Sequence, residues 1–417
     1  MATVVLIGTL DTKEREYRFM HDCLRAMGVD VLVMDVGILH DPQMRPDIAA
    51  SEVAAAAGVD LRDLRFSKEG TDTRAVALDT MRKGAAVILG RLLAEGRCQG
   101  VLGAGGSGGS TVIAGIMREL PLGLPKLLVT TMAASAAAFF GTRDLAIMHS
   151  VTDIAGLNRI SRLILRNAAG AVAGMMTAPA DDEDGERPVV AITMFGVTTP
   201  GVLRLQERLD RAGFDTITFH AVGSGGRAME QMIEEKLIDG VVDYTTSELT
   251  DELLGGVFSA GPTRLTAAGR RGIPQVVVPG AIEVLNFGPR ESVPKAFDTP
   301  KRRLVVHNPY VCAVRTSKDE ALELARIMSA RLNEAAGPTA VVVPLDGFDS
   351  YQKRPDGPFI DEDADTAFCD ELCRALRADI ACERLPLNIN DPAFADHVAE
   401  RFVGLWNAAG RGEGRVP

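Results

Sequence analysis

The chain has 417 residues, which at roughly 100–200 residues per domain implies two or three domains. Apolar residues make up 46% and charged residues 24%, ordinary values for a soluble globular protein, and 56 acids against 45 Lys plus Arg leave a net charge of −11. An acidic surface repels a phosphate backbone, so general nucleic-acid binding is excluded, although a local pocket for one phosphate ligand is not. No apolar run approaches the roughly 20 residues of a membrane span, and the first strand runs straight into DTKERE (11–16), so neither a membrane segment nor a signal peptide is expected. Six scattered cysteines (Cys23, Cys98, Cys312, Cys369, Cys373, Cys382) read as reduced thiols of a cytoplasmic protein.

Taken in chain order, TVVLIG (3–8) reads as a buried strand, followed by a helix over 12–27 and a strand over 29–36. A long helix is expected over 71–95, a strand over 99–103, a helix over 110–119, a strand over 126–131 and a closing helix over 153–176. APADDEDGERP (178–188) has linker composition, which places a boundary between domains 1–180 and 188–417. Beyond it, 188–195, 215–220, 239–244, 274–279, 303–308 and 339–344 read as strands with helices between most of them, and 365–376 reads as a helix that turns Cys369 and Cys373 inward. Continuous Val/Ile/Leu runs with helical crossovers mean parallel strands covered on both faces. The expected architecture is therefore α/β: two doubly wound, Rossmann-like parallel-sheet domains facing a cleft.

Ligands of such sheets bind beyond the carboxyl ends of the strands, so the loops there carry the functional reading. In GTLDTKERE (8–16), Asp11 and Glu14 have capping-box spacing, while Thr9, Thr12 and Lys13 surround a helix start that favours anions. In GAGGSGGS (103–110), Gly103, Gly105 and Gly108 fit GxGxxG, and with Gly106 and Ser107 they form either a tight turn or a phosphate cradle. The next strand ends in Thr130, Thr131 and Met132, without the acid of a standard NAD site. FHAVGSGGRAMEQM (219–232) repeats strand, glycines and helix, with Gly225, Gly226 and Arg227; His220 before it is either a structural histidine or a ligand contact. TTSEL (245–249) offers Thr246 and Glu248, SAGPTR (259–264) adds Arg264, and Asn286 follows a strand. HExxH, paired CxxC and EF-hand spacings are absent, so no protein metal cage is expected; Mg²⁺ carried by phosphates would leave little trace.

With HSVTDIAGLNRIS (149–161), TMFGVTTP (193–200), VPGAIEVLNFG (278–288) and NINDPAFAD (388–396), these motifs run in order over nearly the whole chain. Together they resemble the ATP-binding family typified by the N-terminal part of the tomato mosaic virus resistance protein. The resemblance implies two Rossmann-like subdomains, ATP with Mg²⁺ as ligand, and a homodimer. The family's Ser-Gly-Asp step is here Ala133-Ala134-Ser135, with serine at the aspartate position.

The expected function is ATP and Mg²⁺ binding by a cytoplasmic protein that acts on or senses a small metabolite in the inter-domain cleft. A non-catalytic, nucleotide-responsive interaction protein is the alternative, and a sugar-nucleotide epimerase or transferase a weaker one resting on fold analogy.

Overall fold

The computed structural model describes residues 2–65, 72–132, 134, 136–178, 187–353 and 355–411. Positions 133 and 135, and with them the Ser135 substitution, lie outside the described residues, as does most of the acidic 178–188 segment. The chain divides into two compact units, Met1–Asp181 and Asp182–Pro417.

The first unit runs β1 (Thr3–Gly8), α1 (Leu10–Ala26), β2 (Asp30–Asp35), α2 (Ala50–Ala56), α3 (Leu61–Arg65), α4 (Asp72–Ala94), β3 (Gly100–Gly105), α5 (Ser107–Arg118), β4 (Lys126–Thr130), α6 (Ala136–Phe140), β5 (Ala146–His149) and α7 (Arg159–Thr177). Its five strands are parallel, in the order β2-β1-β3-β4-β5. Alternation along β1 feeds two cores: Val5 and Ile7 pack toward Met81, Ile88 and Ile113, whereas Val4 and Leu6 pack toward Met20, Leu24, Leu165 and Val172. Helices on both faces make this the doubly wound arrangement expected. The closing helix starts at Arg159, not near 153, because Asn158 caps it, accepting from Ile160 N and Ser161 N. One face of α7 is buried in its own unit through Leu165, Ala168, Ala169 and Val172, while Ile160 and Leu163 are exposed.

The second unit runs β6 (Val189–Met194), α8 (Thr199–Arg211), β7 (Asp215–His220), α9 (Ser224–Glu234), β8 (Gly240–Thr245), α10 (Glu248–Leu254), α11 (Ala267–Arg271), β9 (Gln275–Gly280), β10 (Val284–Phe287), β11 (Leu304–Asn308), β12 (Val311–Arg315), α12 (Lys318–Asn333), β13 (Thr339–Pro344), α13 (Glu362–Ala375), β14 (Ala381–Leu385) and α14 (Pro392–Ala408). Six strands form a parallel sheet in the order β14-β13-β9-β8-β6-β7. Read from the β7 edge, this is the same 2-1-3 start as in the first unit. Two readings are corrected here. The stretch 303–308 is not a further parallel strand: β11 pairs antiparallel with β12 across a two-residue connection, too short for a parallel crossover, in a separate β10-β12-β11 sheet. Cys373 and Cys382 are not free thiols: α13 and β14 bring their Cα atoms to 5.5 Å and they form a disulfide, while Cys369 is buried as a thiol.

The β1–β3 ladder ends at Ile7 and Gly103, where the strands part. The Tyr17 hydroxyl from α1 enters that gap, 2.6 Å from the Ile7 carbonyl oxygen and 2.8 Å from that of Ala104, and accepts the Ala104 N–H at 2.8 Å. Gly8 is glycine because a Cβ there would overlap the Tyr17 ring. Tyr17→Phe leaves buried backbone groups without a partner, which costs about 1–3 kcal/mol. Urea unfolding is the measurement; a loss below about 0.5 kcal/mol would show that the hydroxyl is not needed there.

Candidate functional site

In an open α/β sheet the crevice for ligand lies where the strand order reverses, and for a 2-1-3-4-5 order that point is between the first and third strands. The loops leaving β1 and β3 meet there and line a cavity of about 480 Å³. Thr9, Asp11, Thr12 and Lys13 come from the first loop, and Gly106, Ser107, Gly108 and Gly109 from the second. Val36, Ile38 and Leu39 after β2, with Leu64, Ala77 and Leu78, make an apolar wall, and Arg65 and Arg74 add charge. Gly106, the residue before α5, has no side chain to cap the helix, and no hydrogen bond from the N–H groups of Ser107, Gly108 or Gly109 is found among the described contacts.

Gly105 has a packing role instead: a Cβ there would stand 2.6 Å from Ser110 N. Gly106 and Gly108 have room, with nearest neighbours at 4.0 Å (Thr131 Oγ1) and 3.4 Å (Arg74 Nη2). The capping-box reading of Asp11 and Glu14 is corrected. Helix α1 begins at Leu10, whose N–H goes to Asp35 Oδ1 at 3.1 Å. Asp11 Oδ2 accepts from Leu39 N at 2.9 Å, and Glu14 Oε2 from Gln43 N at 2.7 Å, so both acids pin the loop after β2. Asp11 Oδ1 is buried with no donor. Asp35, at the end of β2, also accepts from Gly37 N at 2.8 Å; burial pushes its carboxyl up to about 6 against these hydrogen bonds, with Asp11 adding to the rise. The β2-loop wall, Arg65 and Arg74 were not legible in sequence, since each lies far along the chain from the glycines it faces.

The second glycine loop follows the edge strand β7, not the switch point, and it is filled by the protein's own carboxylate. Glu248 Oε1 accepts from Gly223 N at 2.6 Å and Gly226 N at 3.1 Å, and a Cβ on Gly226 would strike that carboxylate. Glu248 Oε2 accepts from Arg264 Nε at 2.6 Å, and Arg264 Nη2 reaches Asp243 Oδ1 at 2.7 Å. Burial opposes the Arg264 charge, but Asp243, Glu248 and Glu230 around it hold its pKa well above the ordinary value. Gly225 is pressed against the His220 carbonyl, Arg227 donates to Ser259 O at 2.6 Å, and Thr246 N donates to Gly280 O at 2.9 Å. Asn286 is locked onto Asp251 by two bonds of 2.8 Å. Thus Gly225, Gly226, Glu248, Arg264 and Asn286 are engaged with one another or with neighbours inside the unit.

At the second unit's own switch point the β6–β8 ladder ends at Ile192 and Val242. Thr193 Oγ1 donates to Asp243 Oδ1 at 2.8 Å and accepts from Thr245 N at 2.9 Å, and Thr198 Oγ1 lies 2.8 Å from Thr245 Oγ1, all buried. Buried side chains therefore fill the split between β6 and β8, as the Tyr17 hydroxyl fills the one between β1 and β3. Nearby, Glu283 and Asp349 are buried together, with no donor for either Glu283 oxygen or for Asp349 Oδ2. Burial, then the Asp349 charge, pushes Glu283 well above the carboxylate range; burial pushes Asp349 and Asp365 up to about 7 although Arg315 opposes it.

The fold and cavity define a two-unit α/β protein with an open switch-point site in its first unit. Residues 2–181 match the N-terminal domain, and residues 187–406 the C-terminal domain, of the family described as Uncharacterised protein family (UPF0261). The chain belongs to that family. It is 40% identical over 404 residues to a UPF0261 protein of Clostridium tetani, covering 96% of this chain and 98% of that one. It is 33% identical over 425 residues to the ToMV resistance protein Tm-1(GCR237) of Solanum lycopersicum, covering 96% of this chain and 55% of the tomato protein. An esterase domain from a Rhodothermus marinus protein aligns at 12% identity with a TM-score of 0.30, over 56% of this chain and 90% of that one, a likeness too low to carry an argument. Among the described residues no helix is long and apolar enough to cross a membrane.

Glu248→Ala strips the acceptor from two buried N–H groups and one partner from buried Arg264, so it should cost about 3–5 kcal/mol in chemical unfolding; a loss under about 1 kcal/mol would show that the plug is dispensable. The acid cluster sets a pH dependence. Carboxyls with raised folded pKa bind protons more tightly in the folded chain, so their stabilisation is full below the unfolded pKa of about 4 and is lost as pH rises through about 7. The thermal midpoint should fall from pH 5 to pH 8, and Asp349→Asn should flatten that slope; equal slopes for both proteins would remove the cluster as its origin.

Proposed function

We propose that the first unit binds ATP with Mg²⁺ at its switch-point cavity, and that the protein thereby acts on or senses a small metabolite. The observation that carries this reading is the meeting of an uncapped helix start, a glycine loop with room at Gly106 and Gly108, and an apolar wall around one cavity of about 480 Å³. Helix N–H groups suit phosphates, and the Val36, Ile38 and Leu78 wall suits a flat apolar ring. The family resemblance supports ATP as the particular ligand.

Among the described residues no cluster of three or more metal-binding side chains exists. Mg²⁺ held mainly by phosphates needs only one or two carboxylates, and Asp11, with Oδ1 buried and lacking a donor, fits as one. When bound there, the ion would neutralise phosphate charge. A second reading, nucleotide binding without turnover, is favoured by the state of Asp35: two backbone N–H groups hold its Oδ1 and its Oδ2 is buried, so it offers no exposed oxygen as a base, and Asp11 is taken up by the ion in this reading.

Calorimetry and thermal shift with ATP and Mg²⁺ test the proposal. Saturation at 100 times the dissociation constant adds about 2.7 kcal/mol of stability. Gly106→Val, whose Cβ the fold has room for, should weaken binding at least about tenfold, a difference of about 1.4 kcal/mol, with an unchanged ligand-free melting curve as the check on folding. No heat and no shift at millimolar ATP and Mg²⁺ would overturn the reading. ADP release above about 1 s⁻¹ with pooled sugars, acids and amino acids would overturn the version without turnover.

A further inference from the structure

Among the described residues three cations line the switch-point cavity, and they differ in what they already hold. Lys13 donates to the Ile154 carbonyl. Arg65 donates to the Ile38 carbonyl at 3.1 Å and is neutralised by Asp41 at 2.8 Å. Arg74, from the first turn of α4, has no hydrogen bond or ion pair among the described residues, yet its Nη2 lies 3.4 Å from the place a Gly108 Cβ would take. An exposed arginine ordinarily finds a carboxylate or swings into water. This one lies along a glycine loop, beside a helix start with no side-chain cap.

The geometry points to Arg74 as the residue that grips the phosphates beyond the first of the bound nucleotide, and so sets a preference for di- and triphosphates over monophosphates. The inference rests on the nucleotide-binding reading above and adds a specificity residue to it. The physical case is additive positive potential. The first N–H groups of α5 carry the positive end of a 12-residue helix, and a guanidinium fork next to them supplies two further donors in the geometry a phosphate accepts bidentately. Gly108 belongs to the same device: a larger side chain at that position would meet the guanidinium. Among the described lining residues Asp11 is the one carboxylate, which leaves Arg74 available to a ligand's charge. A monophosphate anchored at the α5 start gains the helix contacts alone; a polyphosphate gains Arg74 as well.

The test is calorimetry of the full chain with ATP, ADP and AMP, each with Mg²⁺, on the wild type, Arg74→Ala and Arg74→Lys. Arg74 is exposed, so both variants should keep the wild-type melting curve without ligand. Arg74→Ala should weaken ATP and ADP at least tenfold and AMP less than twofold, with a shallower salt dependence for ATP. Arg74→Lys should recover part of the loss, because an ammonium restores charge without the fork. Equal weakening of all three nucleotides, or none, overturns the assignment while leaving nucleotide binding standing. Failure of the wild type to bind any of the three overturns the nucleotide reading, and this one with it.

Discussion

Where β1 and β3 separate, two strands lose their shared hydrogen bonds in the middle of a buried sheet, and the Tyr17 hydroxyl replaces them. Buried backbone groups must be paired, so a split in a parallel sheet needs a polar side chain at its apex. Because the tyrosine comes from α1, the same contact sets the distance between the β1 loop, which opens α1, and the β3 loop, which opens α5. The cavity, its glycine rim and the seat of Arg74 all depend on that spacing. Gly8 belongs to the arrangement, since any Cβ would displace the ring.

The second unit solves the same problem with the same strand order and different chemistry. Thr193 bridges the split between β6 and β8, and Thr198, Thr245, Asp243 and Arg264 pack in behind it. Its glycine loop has moved to the edge strand and cradles Glu248, an acceptor covalently part of the chain. A carboxylate there uses the same donors a phosphate would use. Two units of one topology thus differ in whether the anion-binding device faces a cavity or is satisfied internally.

Buried acids recur through both units: Asp35, Asp251, Asp349 and Asp365 all have carboxyls pushed up by burial, to between about 6 and 7. Asp35 and Asp349 are tied to backbone N–H groups, Asp251 to the backbone and amide of Asn286, and Asp365 to Gln352 and Arg315. They fix loop geometry at a cost in charge burial, which is why the acids nearest the cavity serve as struts.

The α/β class, the order of most strands and helices, and the existence of two glycine loops were determined by local sequence alone, because apolar periodicity and glycine placement act over a few residues. The same local reading misjudged 303–308, where a two-residue hairpin connection decides the direction of the strand, and the Cys373–Cys382 pair, which meets only when α13 lies on β14. In sequence the loops at 105–109 and 223–226 look alike. Strand order alone separates them, putting one at the switch point and the other on the edge strand, where Glu248 fills it. Tyr17 meets Ala104 across 87 residues, and Arg74 reaches the glycine loop from a separate helix. Such contacts leave no periodic trace in the chain; they exist because packing the two faces of the sheet brings those helices to one strand end.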